Sequence, residues 1–131
     1  MLWYRPPSRS LDHALTVPVA YFAADFIALQ TKDPESMTRY TQPGMGSTIL
    51  ANRISHVFNL KGPSCVVDTA CSSSLYALHL ACSALQSGEC DSAVVAGVNL
   101  IQSPDVLVAM SQAGVLSPTS VCHTFDAAAD G

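Results

Sequence analysis

The segment Val66-Val67-Asp68-Thr69-Ala70-Cys71-Ser72-Ser73-Ser74-Leu75 constrains this chain more than any other. An apolar run stops at a cysteine flanked by small residues, and a helix-like stretch begins at once. A strand that turns sharply into a helix lifts its corner side chain to the edge of a sheet, the mechanics of a nucleophile elbow. The corner cysteine also stands at a helix N-terminus, where unpaired amides and the helix dipole favour negative charge. That setting favours the thiolate, the nucleophilic form of cysteine. Spacing alone fits a second reading equally well, a small buried hydrophobe at a tight turn.

The elements around the corner read as an alpha/beta chain. Val19 to Ala23 predicts a short apolar strand, Asp25 the start of a brief helix through Gln30, and Asp33-Pro34-Glu35 a loop. From Ser47, the residues Leu50, Ile54, Val57 and Phe58 recur at helical spacing as one apolar stripe, closed by Asn59 and Gly62-Pro63. Cys65 to Thr69 predicts a strand of a sheet covered on both faces. The helix from Ser72 to about Ser87 has hydroxyls at its start and Gly88 at its end. Its apolar residues leave almost no polar face, which predicts burial on all sides. Ala93 to Leu100 is again strand-like. Strand, helix, strand is a crossover unit with parallel strands, and its corner falls at the carboxyl end of the first strand, where open alpha/beta sheets place their sites.

Charge and cysteine usage exclude several function classes. Of 131 residues, 49% are hydrophobic and 12% charged, apolar for a free-standing domain. All six Lys and Arg lie at or before Lys61, and the segment from Gly62 onward carries six acids. Nothing there neutralises phosphates, so nucleic acid is not an expected partner. Five cysteines, at 65, 71, 82, 90 and 122, leave one unpaired in any disulfide scheme, and their spacing fits no common zinc pattern. Reduced thiols in the cytoplasm, no metal and no bound cofactor are the expectations. No stretch approaches the roughly 20 apolar residues of a membrane span.

Asp68-Thr69-Ala70-Cys71-Ser72-Ser73-Ser74-Leu75 resembles the active-site signature of the beta-ketoacyl synthases, the condensing domains of fatty-acid and polyketide synthases. Gly46-Ser47-Thr48-Ile49-Leu50-Ala51-Asn52-Arg53-Ile54-Ser55 and Leu60-Lys61-Gly62-Pro63-Ser64 precede it in that family's order. Ala77-Leu78-His79-Leu80-Ala81-Cys82, Gly88-Glu89-Cys90-Asp91, Ala96-Gly97-Val98-Asn99-Leu100 and Gly114-Val115-Leu116-Ser117-Pro118 follow, with Phe125-Asp126 and Ala129-Asp130-Gly131 last. Such a collinear series is far more specific than one short motif. It resembles the fungal iterative type I polyketide synthases most. It runs from about Val19 to Gly131, leaving residues 1–18 as an unmatched segment.

The resemblance implies the N-terminal half of a thiolase-like layered fold, incomplete at both ends. It implies that Cys71 takes an acyl group as a thioester from an acyl carrier protein or coenzyme A, which a carbanion from malonyl thioester then displaces. The Cys71 amide would supply one donor of the oxyanion hole. In the family the partner amide and two catalytic histidines come from the C-terminal half, so none of His13, His56, His79 and His123 inherits that role. His79 reads as a packed core histidine, and Asp68 as an acceptor of backbone or hydroxyl hydrogen bonds. Thr69 and Ser72 to Ser74 read as packing and capping groups, and Cys65, Cys82 and Cys90 as buried thiols. Met110 falls in a stretch that lines the family's acyl channel. Near the end, Thr119-Ser120-Val121, His123 and Ala128 replace residues that usually carry charge. A homodimer or an aggregation-prone chain is expected, because the strand leading into the nucleophile lies at a dimer interface in the family. The alternative function is a truncated, non-catalytic product that only self-associates or binds full-length synthase.

Overall fold

A computed structural model describes residues 2–4, 15–21 and 24–131. The chain divides into two compact units, Met1–Leu100 and Ile101–Gly131.

The first unit is a four-stranded sheet with helices. Its strands are β1 (Leu2–Tyr4), β2 (Leu15–Tyr21), β3 (Ser64–Val67) and β4 (Ser92–Val98), in the order β1-β4-β2-β3. β2 runs parallel to both β3 and β4, while β1 pairs antiparallel with β4. The predicted crossover is therefore present, but its two strands flank β2 and do not touch. β2 starts four residues before the expected strand. Its pairing with β4 skips Val17 and Pro18, where proline has no N–H to give to a ladder.

Among the described residues of this unit the α-helices are α1 (Asp25–Thr31), α2 (Thr41–Met45), α3 (Thr48–Phe58) and α4 (Ser73–Ser87). The Asp33-Pro34-Glu35 segment, expected as a loop, forms a 3-10 turn over Pro34–Ser36, with the Asp33 carboxylate accepting from the Glu35 amide at 3.0 Å. α3 ends at Asn59 in the left-handed region, and the Leu60 amide closes the last turn on the Ser55 carbonyl at 2.9 Å. α4 ends at Gly88, with φ of 75°, and the Glu89 amide reaches the Ala84 carbonyl at 3.0 Å, as the glycine predicts.

The core is built from small residues. Val19, Ala51 and Val94 form one buried cluster, with Ile54, Leu60, Val66 and Ala96 packed against it. The next residues along β4, Ala93 and Val95, line a groove against α4. Successive strand residues point to opposite faces, so α3 and α4 cover opposite faces of the sheet and the unit is layered helix, sheet, helix. Alanines at Ala51, Ala77 and Ala81 let both helices approach closely.

The burial expected of α3 and α4 fails in part. Of the α3 stripe Ile54 packs on the core as expected, while Leu50, Val57 and Phe58 face outward, because the helix seats on Ala51 beside Ile54. α4 is not covered on all sides. Ser73, Ala77, Ala81 and Ala84 are buried, whereas Leu75, Tyr76 and Leu80 are exposed, since the sheet covers one side of the helix.

In the second unit, α5 (Pro104–Gln112) is capped by Ser103, whose hydroxyl accepts from the Asp105 amide at 3.3 Å. It stops at Gly114, with φ of 70°. The turns that follow line an open cavity of about 510 Å³, with Leu107, Val121, Cys122 and His123 among its walls. Met110 is half-buried and does not line it.

Candidate active site

β3 is the edge strand beside β2, and the chain leaves it at Val67 to reach the first residue of α4 at Ser73. Within that short link the backbone reverses direction, and several polar groups of the bend bond to one another or to Ser73. Asp68 Oδ1 accepts from the Ala70 amide at 3.0 Å, the hydrogen-bonding role expected of it. The Ser72 amide returns to the Thr69 carbonyl at 3.3 Å, and the Ser73 amide to the Ala70 carbonyl at 3.1 Å. Ser72 Oγ donates to the Thr69 carbonyl at 2.8 Å and stands 2.9 Å from Thr69 Oγ1.

Ser73 ties the two sides of the bend together. Its hydroxyl accepts from the Thr69 amide at 2.8 Å and donates to the Ala70 carbonyl at 2.6 Å, and the residue is 4% exposed. The expected capping by Ser72 is absent: its side chain bonds back to Thr69, and no side-chain cap closes the helix start. Between these contacts Ala70 holds φ of 55°, in the left-handed region that alanine rarely adopts. No residue type in the sequence marks that position, because the usual signal is Gly, Asn or Asp.

Cys71 follows Ala70 at the top of this bend. Its side chain is exposed, and among the described residues no hydrogen bond holds its thiol. A thiol so placed is free to meet an electrophile, and the helix start beside it favours developing negative charge. None of the hydrogen bonds at the corner involves a histidine. His79 is exposed on α4, a departure from the packed position expected of it. His56 is also exposed on α3, and His123 belongs to the second unit.

None of the five cysteines forms a disulfide. Cys90 is buried as expected, but Cys65 and Cys82 are exposed. Cys65 lies on an edge strand, and Cys82 borders the open groove of about 290 Å³ between α4 and β4, which Leu78 and Leu85 also line. Among the described residues no group of three His, Cys, Asp or Glu side chains gathers as a metal site, and no helix is long and apolar enough to cross a membrane.

Solved ketosynthase domains share this fold. The ketosynthase of module 6 of the bacillaene synthase from Bacillus subtilis superposes with a TM-score of 0.75 at 37% identity, over 89% of this chain and 18% of that one. A ketosynthase domain of the oxazolomycin system of Streptomyces albus gives 0.71 at 33% identity, over 91% of this chain and 20% of that one. The chain belongs to the beta-ketoacyl synthase family: the model of the beta-ketoacyl synthase N-terminal domain matches residues 7–131. Among curated relatives, highly reducing polyketide synthase 19 of Pyricularia oryzae is 70% identical over 113 residues, and highly reducing polyketide synthase srdA of Neurospora crassa 66% over 113 residues. Each alignment takes in 86% of this chain but only 4% and 5% of those relatives. The expected family and the thiolase-like fold are thus borne out.

Proposed function

We propose that this chain supplies the acyl-accepting corner of a polyketide beta-ketoacyl synthase, with Cys71 as nucleophile. The observation that carries the reading is the Cys71 bend itself, an exposed thiol held between an edge strand and a helix start in a chain of this family. The Cys71 thiolate attacks the carbonyl carbon of an acyl thioester, and the thiolate of the carrier protein or coenzyme A leaves. Decarboxylation of a malonyl thioester then yields carbon dioxide and a carbanion. That carbanion attacks the Cys71 thioester, forms the carbon–carbon bond and expels the Cys71 thiolate. The Cys71 amide would hold the oxyanion of each tetrahedral intermediate, a contact commonly worth about 10²–10³ in rate. The matching donor and the two histidines that support decarboxylation belong, by the family resemblance, to the C-terminal half of the domain. Partners of this reading are an acyl carrier protein, acyl and malonyl thioesters and a second copy meeting the exposed edge of β3. Cysteines without disulfides support a cytoplasmic setting.

A second reading, a non-catalytic chain that associates with itself or with full-length synthase, draws on one observation. Leu75, Tyr76 and Leu80 stand exposed together along α4, an apolar surface of the kind that seeks a partner.

The test supplies purified chain with an acyl thioester and malonyl thioester, and follows adducts, released carbon dioxide and beta-ketoacyl product. Acylation of Cys71 without condensation is the expected result. Product abolished by Cys71→Ala would show that these residues hold a complete site and would overturn the division of labour just described. No acylation at all would leave the second reading standing.

A further inference from the structure

We propose that Ser73 is the positioning residue of the corner, holding Ala70 in its left-handed conformation so that the next residue, Cys71, presents its thiol outward. The inference rests on Cys71 being the nucleophile and adds how that nucleophile is aimed.

Ala70 is the weak point of the bend. Its φ of 55° sets Cβ against its own backbone, and a turn of the flanking peptides to negative φ would relieve it. Such a turn would also re-aim Cys71, which hangs from the next α-carbon. Two side chains oppose it. Asp68 holds the Ala70 amide, but Asp68 is exposed and water competes for both groups. Ser73 holds the other side of the same residue, donating to the Ala70 carbonyl, and also fixes the preceding peptide by accepting from the Thr69 amide. Its hydroxyl has one proton to give, and both bonds are made by a side chain that is 4% exposed, so they are better shielded than the exposed Asp68 bond. Ser73 is moreover the first residue of α4, on the same buried edge as Ala77, Ala81 and Ala84. The clamp is therefore anchored to the seat of the helix on the sheet, and the aim of Cys71 is tied to that seat. An ordinary helix cap would satisfy amides within its own helix. Ser73 instead reaches backward across the bend.

The experiment measures iodoacetamide labelling of every cysteine in the full chain by peptide mass spectrometry near neutral pH. Cys65, Cys82 and Cys122 serve as exposed standards, and buried Cys90 reports that the fold holds. In the wild-type chain Cys71 is expected to react fastest. Ser73→Ala should slow Cys71 about tenfold against the standards, the scale of one or two hydrogen bonds, with Cys90 still protected. Adding Ala70→Gly should bring Cys71 back to within about threefold of wild type, because glycine adopts positive φ without the clamp. A purely structural role moves all thiols together and is not rescued in this way. Should Ser73→Ala expose Cys90, Ser73→Thr decides, since it keeps the hydroxyl and should keep the fast rate. Loss of that rate with Cys90 protected overturns the proposal. So does an unchanged Cys71 in a folded Ser73→Ala chain, or a double variant that stays slow. A wild-type Cys71 no faster than the standards removes the nucleophile reading and this inference with it, whereas a fast Cys71 indifferent to Ser73 removes only the positioning role.

Discussion

The two sides of α4 invert the usual arrangement of a surface helix. Its inner edge, Ser73, Ala77, Ala81 and Ala84, is small and buried, while Leu75 is 68% exposed, Tyr76 53% and Leu80 45% on the outside. The small residues are there because the helix lies close on β2 and β4, and a larger side chain would push it off. The large ones have no cover among the described residues. Closeness to the sheet, not hydrophobicity of the helix, decides what is buried here. The corner that opens α4 follows the inner edge, since Ser73 belongs to both.

The sharpest way to break this comparison is to enlarge the inner edge. Ala77 is fully buried, and Ala77→Leu should cost about 2–3 kcal/mol through overpacking, read as a lower urea midpoint. A change under about 0.5 kcal/mol would mean that the helix is not seated as described. A smaller effect is expected at the far end of the helix. Gly88 has open space around it but φ of 75°, so Gly88→Ala should cost about 1 kcal/mol from the backbone alone. The outer side should matter least for stability. Leu75→Ser and Leu80→Ser should each shift the midpoint by an amount within about 0.5 kcal/mol, while sedimentation velocity shows a smaller share of associated species. A large loss of stability in either variant would show that the outer side already has a packing partner.

The same contrast explains what was legible in the sequence. Elements and their order were: the crossover around Cys71, the glycine end of α4 and the Asn59 end of α3 all follow from local chemistry that a short window contains. The place of Cys71 between a strand and a helix start was legible too, through the apolar run that stops just before it. Burial was not. The apolar stripe of α3 and the apolar circumference of α4 predict deep burial, yet Val57, Phe58 and Leu75 face outward, because a sequence shows which residues seek cover and not which find it. His79 and Cys82 were misplaced for the same reason. Nor was Ala70 legible, since its backbone is set by Ser73 three residues on and not by its own type. β2 begins at Leu15, in a stretch where prolines hide any strand pattern.

Competition for an acyl group tests the central claim most directly. The chain is mixed with a limiting acyl thioester near neutral pH, and the position of the acyl group is mapped on tryptic peptides. Cys65, Cys82 and Cys122 are exposed, as Cys71 is, and lie outside the corner. The account predicts acyl groups on Cys71 in clear excess over each of the other three, and no transfer of that excess to another cysteine in Cys71→Ala. Equal acylation of the four exposed thiols would contradict it.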